Sequence, residues 1–120
     1  MTAIYRQPNN SNLQNFQSSI EELLSAVDKN KNEIVIAGDM NLDLLKYKQH
    51  EPTSKYLDIM TNHQILPRIV CPTRIKNTSA TLIDHIFTRN NPLTFVSGII
   101  DAELAGSSGF TDHLPVFTIL

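Results

Sequence analysis

A layered α/β domain is what this sequence predicts, on three observations. Apolar residues recur at helical spacing from Leu13 to Val27, marking the inner face of an amphipathic helix. The run Ile34-Val35-Ile36-Ala37 is apolar on both faces of an extended chain, as a strand interior to a sheet would be. The elements then follow in the order β-α-β-α with several further strands behind them.

Each element has a local reason. "TAIY" opens with β-compatible residues and runs into the turn-rich "RQPNNSN". Ser11 and Gln14 have the spacing of a capping box, and the helix behind them turns Leu13, Phe16, Ile20, Leu23, Leu24 and Val27 inward. Lys29 and Lys31 fall where cations suit a helix C-terminus. After "EIVIAG" and a polar loop, a second, shorter helix is expected from near Thr53, with Tyr56, Leu57 and Met60 facing the core. "RIVCPTRI" reads as a strand interrupted by Pro72. "ATLIDHIFTR" reads as one strand, with Leu82, Asp84 and Ile86 on one face and Ile83, His85 and Phe87 on the other. "FVSGII" and "LPVFTIL" complete the set. A strand at each end without a neighbour would expose unpaired backbone, so part of a larger sheet system is expected.

Composition narrows the function classes. With 41% apolar and 18% charged residues, 120 residues form at most one ordinary globular domain. No apolar run approaches the ~18 residues that suggest a membrane span. "MTAIYRQPNN" has neither the charged nor the apolar region of a secretory signal, so an intracellular protein is expected. The single Cys71 excludes an intramolecular disulfide and suits a reducing compartment. A net charge of −2 gives no global attraction for nucleic acid. Arg68, Arg74, Lys76 and Arg89 lie close in sequence, either as a local basic face or as ordinary solvated surface.

Chemistry concentrates in three places. In "IVIAGDMNLD" an apolar strand ends at a glycine and delivers Asp39, Asn41 and Asp43 at alternate positions. Asp39 and Asn41 point the same way if the chain stays extended past Gly38; otherwise they form an Asx turn. Ligands in α/β sheets collect beyond strand C-termini, which suits this placement. Asp84, inside an apolar strand, is costly to bury without a cation or an imidazole N–H beside it. A distant histidine would serve, since carboxylate–imidazole pairing fixes the tautomer and stabilises the charged ring. Asp112-His113 precedes the last strand. Hard oxygen donors of this kind suit Mg²⁺ or Mn²⁺, whereas His50, His63, His85 and His113 lack zinc-ligand spacing.

The ordered segments "IYRQPN", "IVIAGDMNLDLL", "PTR", "TLIDHIF" and "FTDHLPVF" resemble the endonuclease/exonuclease/phosphatase superfamily. More narrowly, they resemble the apurinic-type endonuclease domain of non-LTR retrotransposons. The resemblance spans nearly the whole chain but only the C-terminal part of that domain, so residues 1–120 are expected to be a partial α/β sandwich. It implies that Tyr5 and Asn9 contact the scissile phosphate, that Asp39 handles the proton and that Asn41 positions it. It further implies that Asp112 is a metal carboxylate, that His113 hydrogen-bonds a phosphoryl oxygen and that Asp84 orients His113. Thr111 stands where the family usually has serine and keeps the hydroxyl. Arg74 is either a DNA phosphate contact or a surface arginine.

The family's upstream Asn and metal-binding Glu have no counterpart here, so the Mg²⁺ or Mn²⁺ site is expected to be incomplete. DNA is the expected substrate, with nuclear access required for it. The missing N-terminal half of the domain, or a reverse transcriptase of the parent element, is the expected protein partner. Two other classes stand beside this one: a non-catalytic remnant of a retroelement endonuclease, and a superfamily phosphatase acting on a small phosphoester.

Overall fold

The computed structural model describes residues 1–28, 33–89, 96–100 and 111–119. Lys29, Lys31, Phe95 and Leu120, named above, lie outside them. The fold is α/β, with mixed sheets and two helices. β1 (Thr2–Tyr5) leads through a 3-10 turn (Asn10–Asn12) into α1 (Leu13–Asp28) and β2 (Ile34–Asp39). After a second 3-10 turn (Leu44–Lys46) come α2 (Glu51–Asn62), β3 (Leu66–Pro67), β4 (Arg74–Lys76), β5 (Ser79–Thr81) and β6 (Asp84–Arg89). β7 (Val96–Ile99) and β8 (Val116–Ile119) follow.

The main sheet has the order β1-β2-β6-β3, with β4-β5 and β7-β8 as two-stranded ribbons. β1 and β2 are parallel, with α1 as the crossover that parallel neighbours need. β6 runs antiparallel to both β2 and β3. β2 is therefore interior, which is why it tolerates apolar residues on both faces.

Both helices cover one face of the sheet. Ile36 lies opposite Phe87 in register, and Tyr56 of α2 meets Phe87 edge-on at 5.8 Å. Tyr56 also stacks on His85 at 5.7 Å, and Phe16 of α1 approaches Tyr56 at 5.8 Å. Ile20, Leu24, Ile59 and Met60 complete this core. Full burial of side chains such as Phe87 and Ile36 stabilises the fold by roughly 2 kcal/mol each. Side chains alternate along a strand, so Tyr5, Asp39 and Asp84 occupy the opposite face. On that side β8 lies beside β6.

Several expected elements are placed differently. The capping-box residue Ser11 sits inside the 3-10 turn, and Asn9 Oδ1 accepts from Ser11 N and Oγ at 2.9 and 2.8 Å. The second helix starts two residues before Thr53, at Glu51, because Pro52 is preorganised for a first turn. "RIVCPTRI" contributes strand only at its last two residues, Arg74 and Ile75, where β4 begins. "ATLIDHIFTR" is two strands in two sheets, because side chains claim its central amides. Asp43 Oδ1 accepts from Leu82 N at 2.9 Å, and Thr73 Oγ1 accepts from Ile83 N and Asp84 N at 3.2 and 3.0 Å. Among the described residues no helix is long and apolar enough to cross a membrane.

His85 is 1% exposed within this core. Its Nε2–H points at the carbonyls of Leu42 and Leu82 at 2.9 and 3.1 Å, leaving Nδ1 beside the Tyr56 hydroxyl at 3.4 Å. Burial pushes its pKa from 6.5 down to about 4, with the two carbonyls opposing that shift. The folded state thus holds the ring neutral. The stability this contributes is fully present above pH 6.5 and is lost as pH falls towards 4. Between those limits the parent should lose about 3 kcal/mol more stability than a folded His85→Gln variant, by urea denaturation at stepped pH. Parallel pH curves for the two proteins would refute the assignment.

Candidate active site

Strand register assembles the site. Tyr5 pairs with Asp39 across β1 and β2, and Asp39 pairs with Asp84 across β2 and β6. These three residues form one row at the edge of the sheet. Gly38 permits the close approach of β1, since a Cβ there would stand 1.7 Å from the Ile4 carbonyl oxygen. Tyr5, at 68% exposure, is open to a ligand.

His113 completes the row from another part of the chain. The segment before β8 bridges to β4, with Ile75 N donating to Asp112 O at 2.9 Å and Leu114 N to Thr73 O at 2.6 Å. His113 Nδ1 then lies 2.9 and 3.1 Å from the two Asp84 oxygens. An ionised carboxylate only accepts, so the proton belongs on Nδ1 and Nε2 faces outward as the second functional nitrogen. Thr111 Oγ1 accepts from His113 N at 3.1 Å, a use of the hydroxyl that serine would share.

Asp39 has a different environment. Among the described residues its Oδ1 accepts only the Asn41 backbone N–H, at 3.1 Å. Burial raises its carboxyl pKa and the Asp84 charge adds to that, against the Asn41 amide, His113 and Arg74. The chain does not stay extended past Gly38: Asn41 takes φ +49°, and the pair forms the Asx-type turn. Asn41 Nδ2 donates instead to the Arg6 carbonyl at 2.6 Å.

The remaining predicted residues stand apart from this row or are already engaged. Asp112 Oδ2 accepts from Arg74 Nε at 2.7 Å, and that hydrogen bond holds the Asp112 carboxyl below the usual range. Asp112 Oδ1 lies 4.0 Å from His113 Nε2. Asn9 uses its Oδ1 to cap the turn at Ser11. Asp43, the third polar residue of "GDMNLD", caps the following 3-10 turn at Leu45 N.

Asp39, Asp84 and His113 each offer a ligand atom within 4.8 Å of the others, as a cation site would require. The two carboxylates are the hard donors of the set. Burial is the main cause of the raised Asp39 pKa, and the Asp84 charge adds a repulsion that a divalent cation would relieve. The donor set therefore fits an oxygen-preferring cation, whose remaining positions water and a phosphate would fill.

Two residues escaped the sequence reading. Thr73, fully buried, holds the Ile83 and Asp84 amides and so fixes the start of β6. Arg6, 8% exposed, holds the turn after β2 through carbonyl oxygens. Both lie in quoted segments, "PTR" and "IYRQPN", but a residue whose partners are backbone groups leaves no pairing signal in sequence.

Residues 1–117 match the family described as endonuclease-reverse transcriptase. The class is thus a nuclease domain of the endonuclease/exonuclease/phosphatase type, for which a nucleic acid is the expected substrate. The chain belongs to the endonuclease-reverse transcriptase family. A comparison with curated proteins finds no match.

The electrostatics of the row give a direct check. Replacing Asp84 with Asn removes a like charge, so the Asp39 pKa should fall while the burial contribution remains. A ¹³C titration of the Asp39 carboxyl reads this. An unchanged Asp39 titration in folded Asp84→Asn protein would show that the two carboxylates are not coupled.

Proposed function

We propose that this domain hydrolyses phosphodiester bonds in DNA, as a retrotransposon-type endonuclease assisted by Mg²⁺ or Mn²⁺. The observation that carries the reading is the convergence of Asp39, Asp84 and the imidazole of His113 at the end of three registered strands. Asp39, with its raised pKa and no basic partner on its oxygens, accepts the proton of the attacking water. His113, fixed by Asp84, presents Nε2 to a phosphoryl oxygen. The Tyr5 phenol, exposed at the end of the same row, contacts the phosphate from the other side. Asn41 sets Asp39 through its backbone N–H. A divalent cation held by Asp39 and Asp84 would stabilise the charge that develops on the phosphoryl oxygens.

The 120 residues are read as the C-terminal part of a larger domain, completed by an N-terminal half. The open outer edge of β1, with one partner strand among the described residues, supports this. A reverse transcriptase of the same element is the further partner, and a DNA substrate requires nuclear access. Asp112 and Arg74 favour a second reading. An Asp112 carboxylate engaged by Arg74 leaves two carboxylates for the cation, as in a remnant with weak metal affinity.

Nicking of supercoiled plasmid in Mg²⁺ or Mn²⁺ distinguishes these readings. The 120 residues alone should nick weakly and more strongly once the N-terminal half is supplied, chelation should abolish the nicking, and Asp39→Asn or His113→Ala should each reduce it by roughly 100-fold or more. Nicking that appears only when the N-terminal half is supplied would make this chain half of an endonuclease. Absence of nicking in both settings would establish the remnant.

A further inference from the structure

Arg6 is a nearly buried cation on which, among the described residues, no carboxylate bonds. Its Nε donates to Met40 O at 2.6 Å, one terminal nitrogen to Asn9 O at 2.9 Å and the other to Asn41 O at 2.8 Å. Its backbone N–H donates to Asp39 O at 2.9 Å, and its carbonyl accepts from Asn41 Nδ2 at 2.6 Å. Arg6 therefore bonds to each of residues 39, 40 and 41, and the same fork reaches Asn9. Beneath it lies the Phe16 ring, 5.7 Å from the guanidinium carbon.

This arrangement costs stability that an apolar side chain would not. Burial pulls the guanidinium pKa below its ordinary value, and neutral carbonyls compensate a buried charge less well than a carboxylate does. A methionine would fill the space against Phe16 without that cost. What it would not supply are donors for the Met40 and Asn41 carbonyls. β2 has ended at Asp39 and the chain has turned away with Asn41 at φ +49°, so no strand meets those carbonyls on the β1 side. A planar fork spans separate acceptors at fixed angles, which an ammonium does not. The side chain of Arg6 takes the place of a missing ladder.

We propose that Arg6 is a positioning residue of this site, a fork that sets the Asp39–Asn41 turn and so fixes where the Asp39 carboxylate stands relative to Asp84 and His113. It acts through the turn and touches no reacting atom. The same fork anchors Asn9, so one side chain ties together Asn9, Met40 and Asn41 near the Tyr5 end of the row. The inference rests on the nuclease reading for its kinetic consequence and on geometry alone for its structural one.

Two variants test it: Arg6→Lys, which keeps the charge and loses the fork, and Arg6→Gln, which loses both. In folded Arg6→Lys, kcat for plasmid nicking should fall roughly 100-fold with KM nearly unchanged. Its Asn41 amide resonance and Asp39 carboxyl titration should both move, while the His85 ring signals stay in place. Arg6→Gln should show the same Asn41 and Asp39 changes, so charge alone is not the cause. A residue needed only for stability would lower the denaturation midpoint and leave kcat per folded molecule and the Asp39 titration as in the parent. That result overturns the proposal. If the parent nicks neither alone nor with the N-terminal half supplied, the nuclease reading fails by itself, and the Asn41 and Asp39 signals still decide the role of Arg6.

Discussion

Three strands meet at one level of the main sheet because Gly38 lets the backbone of β1 come against it. A side chain there would collide with the Ile4 carbonyl, and the parallel register that places Tyr5 beside Asp39 would be lost. On the other side of β2 the register places Asp39 opposite Asp84. Side chains alternate with period two, so a slip of one residue would turn Asp39 towards the helices and bring Ile36 and Phe87 out of the core. The apolar face thus enforces the polar row. Burying an unpaired carboxylate against Tyr56 and Phe87 would cost several kcal/mol by roughly the same reasoning that keeps His85 neutral there.

The polar row is differentiated by its partners. Asp84 is held by His113, and Asp112 by Arg74. Asp28, at the far end of the sheet, is held by His63 and Arg89. Among the described residues Asp39 has only a backbone amide on its side chain, in a half-buried position beside another carboxylate. Burial, with the Asp84 charge adding to it, holds the Asp39 carboxyl above its ordinary value.

Much of this was legible in the sequence. The α/β class followed from the periodicity of α1 and the two-faced apolarity of β2. The cost of burying Asp84 required a partner, and the structure gives it His113. What sequence did not reveal depends on side chains that bond to backbone. "ATLIDHIFTR" reads as continuous strand because nothing in it announces that Asp43 and Thr73 will take its central amides. The Asp39-Asn41 spacing left extended chain and Asx turn equally open, and Arg6, unmarked in sequence, holds the turn. The Arg74–Asp112 contact joins residues 38 positions apart through a bridge between loop segments, which no local pattern encodes.

The central claim is that Asp39 and Asp84, with His113 beside them, form a single cation-accepting site at the end of the sheet. Sub-stoichiometric Mn²⁺ added to the ¹⁵N-histidine-labelled chain tests it without requiring activity, because paramagnetic broadening reports distance from the bound ion. The account predicts that the His113 ring signals broaden first and that excess Mg²⁺ restores them, while the His63 signals, beside Asp28, persist. Equal broadening of His113 and His63, or none at His113, would contradict it.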